Sequence, residues 1–253
     1  MIPSNTRYAH LEWVSRLHFY ASAFKKSKWT TLFLLPLLLS CFLINAQRNR
    51  EDMVGSWVVL AGRHQISEHW SIPTVGILRH FEVFDRYEFA FFRTGATYTS
   101  KNKTDMTLGY AFLDSEAYIE NDRASETTQH WLYGEVYLKP TANGIPLSHR
   151  YRWETRWFKR TEGNTLNNRV RYQLQWVQPL ATHTYMKAFN EIFIGLQAPI
   201  FNQNRFYIGL GYTIDQNFKI EAGYLKNHFT SAHYDRLRIA IIFKTDISGK
   251  NRL

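Results

Sequence analysis

The chain has 253 residues, a formal net charge of +10, 45% hydrophobic and 16% aromatic residues, and a mean hydropathy of -0.37. That length suits one large domain or two small ones. A single cysteine, Cys41, excludes an internal disulfide and a thiolate metal cluster. The basic balance suits an anionic partner, yet no basic cluster has nucleic-acid spacing. The expected surface is therefore a lipid or lipopolysaccharide one, with no nucleic acid.

Residues 1–46 read as a secretory signal with an extended basic flank. Lys25, Lys26 and Lys28 precede an apolar core from Leu32 to Ile44, and Asn45-Ala46-Gln47 offers a small residue at the cut. The apolar run is shorter than the roughly 20 residues of a spanning helix. Leu38-Leu39-Ser40-Cys41 also resembles a lipoprotein signal, although Leu39 fits it poorly and apolar residues continue past Cys41. Either route exports the chain and leaves residues 47–253 as one domain.

From Gln47 onward the chain alternates in segments separated by turn residues. In order these are Ser56–His64, Trp70–His80, Arg86–Tyr98, Met106–Asp114, Gln129–Lys139, Ser148–Phe158, Asn168–Leu180, His183–Gly195, Asn204–Ile214, Phe218–His228 and Tyr234–Lys244. A tilted strand of about 9–11 residues crosses a bilayer. In "SHRYRWETRW", His149, Tyr151, Trp153 and Trp157 oppose Arg150, Arg152, Glu154 and Arg156. Asn168–Leu180 sets Val170, Tyr172, Leu174 and Trp176 against Arg169 and Arg171, and Asn204–Ile214 sets Phe206, Ile208, Leu210 and Tyr212 against Arg205.

Alternation alone also fits a soluble exported β-sandwich. Aromatic residues near strand ends, a polar face of mixed charges and the leader favour a membrane barrel instead. The predicted fold is all-β, a closed antiparallel transmembrane β-barrel of ten to twelve strands. Because single-chain bacterial barrels use even numbers, twelve is preferred, with an added strand near Arg48–Val54. "DQN" (Asp215–Asn217) and "LATH" (Leu180–His183) read as tight turns. "SEAYIENDRASETT" (Ser115–Thr128) and "KRTEGNTLNN" (Lys159–Asn168) read as long loops. With a periplasmic C-terminus, the short turns fall on the periplasmic side.

Several motifs then carry a resemblance: "HRYRWETRW", "NRVRYQLQW", "FNEIF" around Glu191, "NRFYIGLGY", "KIEAGYL" and the pair Trp57 and Trp70. In this order they resemble the Bacteroidetes outer-membrane proteins grouped as domain of unknown function 2490. The resemblance implies an outer-membrane barrel and supplies no activity. The last strand ends on Phe243, similar to the aromatic signal read by barrel-assembly machinery, although ten residues follow it.

By parity the lumen holds Arg79, Arg150, Arg152, Arg156, Arg169, Arg171, Arg205, Arg236, Arg238 and Lys219, opposed by Glu135, Glu154, Glu191 and Glu221. Buried polar groups in a narrow barrel must be paired, so an ion-pair network is expected. A cation-lined, anion-selective pore is the functional alternative. His228, Ser231, His233 and Asp235 gather in one predicted outer loop, "NHFTSAHYD", and are the only cluster that suggests envelope-lipid hydrolysis; a solvated loop explains them as well. Ser148 and His149 are adjacent on a strand and face opposite ways. No metal-ligand spacing or phosphate-binding glycine loop appears. The chain is expected to be a small pore or binding barrel without cofactor or metal rather than an enzyme.

Overall fold

The computed structural model describes residues 53–116, 126–139, 146–160 and 163–248. The signal-peptide and Cys41 readings lie outside these residues. Eleven strands form one closed barrel in the order β1-β11-β10-β9-β8-β7-β6-β5-β4-β3-β2. They are β1 Val54–Gln65, β2 Trp70–Glu82, β3 Asp85–Thr99, β4 Asp105–Glu116, β5 Glu126–Leu138, β6 Leu147–Arg160, β7 Gly163–Pro179, β8 Thr184–Gly195, β9 Phe201–Thr213, β10 Phe218–His228 and β11 His233–Asp246.

Each predicted segment corresponds to one strand. The closed barrel and the expected ten to twelve strands hold, with eleven where twelve was preferred. Of the added strand expected near Arg48–Val54, residues 48–52 lie outside the described ones. The wall departs from fully antiparallel at one seam. Neighbours in sequence pair antiparallel, but β1 pairs β11 in parallel, from Val54 opposite Asp235 to Gln65 opposite Asp246. The even-number rule assumes that the first and last strands run oppositely. Here they run together, and a parallel seam closes an odd number. The chain thus enters β1 at one rim, called here the N-terminal rim, and leaves β11 at the other, the C-terminal rim.

Connections 66–69, 100–104, 180–183 and 214–217 lie at the C-terminal rim. "LATH" and "DQN" are tight, as expected. The predicted long loop "KRTEGNTLNN" is not a loop: β6 runs to Arg160, β7 begins at Gly163, and those two residues pair. Gly163 has φ +129°, a conformation that favours glycine. Within the other predicted long loop, residues 117–125 lie outside the described ones. "NHFTSAHYD" is likewise a short hairpin end, with His228 opposite His233.

The outer wall is apolar. Leu108 is 69% exposed and Leu210 55%, and Leu60, Phe92, Leu132, Trp153, Val170 and Ile208 also face outward. Aromatic pairs such as Trp70–Tyr98 and His183–Tyr212 gather at the C-terminal rim, and Tyr110–His130 lies toward the other. Tyr151 and Trp153 sit mid-strand, so the aromatics do not form two clean girdles.

Glycines let inward tyrosines lie flat across neighbouring strands. A Cβ on Gly211 would overlap the Tyr185 ring, and one on Gly109 would overlap that of Tyr133. This is the strand-bending device of small barrels, in which an aromatic covers the glycine of a curved strand. Gly211→Ala is expected to lower stability by about 1–3 kcal/mol through overpacking, read as a fall in the urea midpoint.

Candidate functional site: the barrel interior

All fourteen side chains expected in the lumen sit on the inward face. The innermost charges are built on β6, β7 and β8, where opposite residues in register are Glu154 and Arg169, and Arg152 and Arg171. Glu154 is 0% exposed. Its Oε2 accepts from Arg169 Nε at 2.9 Å and Nη2 at 2.5 Å, and its Oε1 accepts from Arg171 Nη1 at 2.6 Å. Glu191 accepts from Arg171 Nε at 2.9 Å, from Arg150 Nη2 at 2.7 Å and from Arg205 Nη1 at 3.4 Å. Glu135 pairs with Arg152 and lies 3.7 Å from Arg150. One continuous network therefore runs from β5 to β9. Two-pronged guanidinium–carboxylate bonds are strong where water is scarce.

A second centre is Glu221, which accepts from Lys187 Nζ at 2.9 Å, Arg238 Nη1 at 3.0 Å and the Tyr185 hydroxyl at 3.0 Å. A third is Glu88, which binds Arg79 and, at 3.0 Å, Arg236 Nη2. Among the described residues Lys219 has no ion pair of this kind; its ammonium lies 5.4 Å from the Tyr185 ring centre. Toward the C-terminal rim, Asp105 binds Arg63 and Lys139, each at 2.8 Å.

Sequence reasoning missed Glu88, Arg93, Lys187 and the Asp105 group. Lys187 shares the parity of Glu191 four residues on, so the same test finds it. Glu88 could not be found that way. Arg79 pairs with Phe89 and His80 with Tyr87, which leaves Glu88 as the extra residue of a β-bulge. Strict alternation would send it outward; the bulge re-aims it inward.

The larger omission is the opposite wall. None of its residues was among those placed in the lumen from the sequence. Trp57, Val59, Ala61, Val75, Ile77, Phe91, Leu113 and Trp131, from β1 to β5, face inward and pack together. Between this apolar wall and the charged one lies a cavity of about 350 Å³. Guanidinium groups reach across it: Arg205 stacks 4.5 Å from the Trp57 ring centre, and Arg79 lies 4.1 Å from that of Phe89. Such cation–ring contacts compensate part of the hydration a buried guanidinium loses.

The inward cations outnumber the carboxylates Glu88, Glu135, Glu154, Glu191 and Glu221 by about two to one. The hydrolytic cluster is not assembled: His228 and His233 meet each other, Nδ1 to Nδ1 at 2.9 Å, while Asp235 is bonded to Tyr224 and paired with Lys226 at 3.2 Å. Ser148 faces inward toward Gln175 and His149 bonds Tyr172. Among the described residues no group of three or more His, Cys, Asp or Glu side chains is arranged to hold a metal.

The profile of a protein family described as "Protein of unknown function (DUF2490)" matches residues 54–238. That stretch begins with β1 and ends within β11. No curated protein and no solved structure matches the chain.

Proposed function

The chain belongs to the DUF2490 family, and from its interior we propose that it is an outer-membrane barrel that binds an anionic solute in its lumen. The apolar outer wall and the exported leader read in residues 1–46 support the location. Lipopolysaccharide and membrane lipids would then surround it, and barrel-assembly machinery would insert it. The observation that carries the binding reading is the surplus of inward guanidinium groups around the cavity. Barrels of about eight strands fill with side chains, whereas those of about sixteen leave an aqueous channel. Eleven strands with buried Glu154 and Glu191 crossing the interior fit a binding chamber better than an open pore.

Planar bilayers separate the two forms of this idea. The refolded full-length chain is expected to give no steady channel steps in potassium chloride, and liposomes carrying it are expected to exclude small sugars. Open, anion-selective steps would replace the chamber with a pore. Melting in the presence of phosphate, sulfate and single-chain anionic lipids tests occupancy. A barrel stabilised by none of them would end the anion-binding reading. Fractionation tests location: recovery in the soluble periplasmic fraction would contradict the membrane assignment.

A further inference from the structure

Most of the inward arginines already face a glutamate. Arg156 does not. It is 8% exposed and lines the cavity, yet no carboxylate oxygen among the described residues lies within ion-pair distance of it. One Nη2 hydrogen donates to the amide oxygen of Asn167, and its planar group rests 5.0 Å from the Phe158 ring centre. Its buried Nε has no partner. Arg93 lines the same cavity, its Nε is also unpartnered, and its nearest paired carboxylate oxygen, on Glu135, is 3.8 Å away.

Register brings these two cations into one transverse row. Arg93 is opposite Ala111, Ala111 opposite Trp131, and Trp131 opposite Arg156. Phe91 lies tilted against Trp131, ring centres 5.2 Å apart, and Leu113 belongs to the same cluster. Two under-compensated cations thus adjoin an apolar, largely aromatic wall that continues through Ile77 to Trp57. A buried cation lacking a counter-charge is unfavourable, and an entering anion relieves it. The adjoining apolar wall gains by covering hydrocarbon. A small inorganic anion would satisfy only the first of these.

We infer that the lumen binds a single-chain amphiphile with an anionic head, a carboxylate or phosphate monoester. The head sits at Arg156 and Arg93, and the chain lies along Phe91, Leu113, Ile77 and Trp57. This rests on the anion-binding reading above. Size agrees: an apolar cavity of about 150 Å³ accepts benzene. In proportion, about 350 Å³ accepts roughly fourteen non-hydrogen atoms, the size of laurate.

The test is calorimetric titration of the full-length chain in phosphatidylcholine nanodiscs, with empty discs subtracted. The probes are laurate, decyl phosphate, decanol, acetate and inorganic phosphate. Saturable one-to-one binding is expected for laurate or decyl phosphate, and whichever binds more tightly identifies the head as a fatty acid or a phosphate monoester. Arg156→Gln is expected to weaken that binding by about tenfold. Ile77→Trp, which fills the chain side, should weaken it similarly with Arg156 intact, so a failure of the glutamine variant to fold does not remove the test. Decanol binding as tightly as laurate overturns the assignment of the head. Acetate or phosphate binding as tightly as laurate overturns the amphiphile and leaves the anion chamber standing. Binding of none of the five overturns both.

Discussion

Glu154→Gln is expected to destabilise the barrel by about 3–5 kcal/mol, the cost of leaving buried cations without their partner. No other carboxylate can substitute fully. Arg169 has both Nε and Nη2 on Glu154 and no second carboxylate bond, while Arg171 retains only Glu191. Arg152, 3.6 Å away, keeps Glu135. The loss therefore concentrates on Arg169. Urea unfolding in bilayers measures it, with Glu135→Gln as the comparison; its carboxylate is more exposed and should cost less. A companion variant, E154Q with R169M, should recover much of the loss, because methionine at 169 removes the orphaned charge. A single-mutant effect under about 1 kcal/mol would mean that water screens these pairs.

The second large effect is expected on the outside. Ile241 lies on β11 between Leu60 of β1 and Ile220 of β10, all facing outward. Ile241→Arg is expected to cost about 2–4 kcal/mol if that belt meets the bilayer interior, because the charge must be held in hydrocarbon. The same substitution in a wall facing water would cost far less. Folding yield and urea midpoint in phosphatidylcholine vesicles report the difference. An effect near zero would argue that this belt never touches lipid, and the proposed location would fall with it.

The later strands were legible because their two faces differ. Tyr151 and Trp153 against Arg150, Arg152 and Glu154 leave little choice of facing, and the inward set from Arg150 to Arg238 followed directly. The first four strands carry a weaker signal. Val58-Val59-Leu60-Ala61, Gly76-Ile77-Leu78 and Phe89-Ala90-Phe91-Phe92 are apolar on both parities, because one side faces outward and the other forms the lumen's apolar wall. Period-two reasoning has nothing to grip in such a run. Arg93 was hidden in one of them. Glu88 was hidden by a bulge, a local insertion that depends on the partner strand rather than on spacing. The exact strand number was hidden for a different reason: parallel closure is a relation between residues nearly two hundred positions apart, Val54 with Asp235, and no local pattern records it.

That parallel seam has a topological consequence. A hairpin can zip as soon as its second arm is made, but β1 has no edge partner on one side until β11, the final strand, arrives. Closure is the longest-range event in the fold, where contacts of high sequence separation are slow to form. It also polarises the molecule. Val54 stands at one rim and Asp246 at the other, so in the proposed membrane location the two ends of the barrel wall face opposite sides of the bilayer.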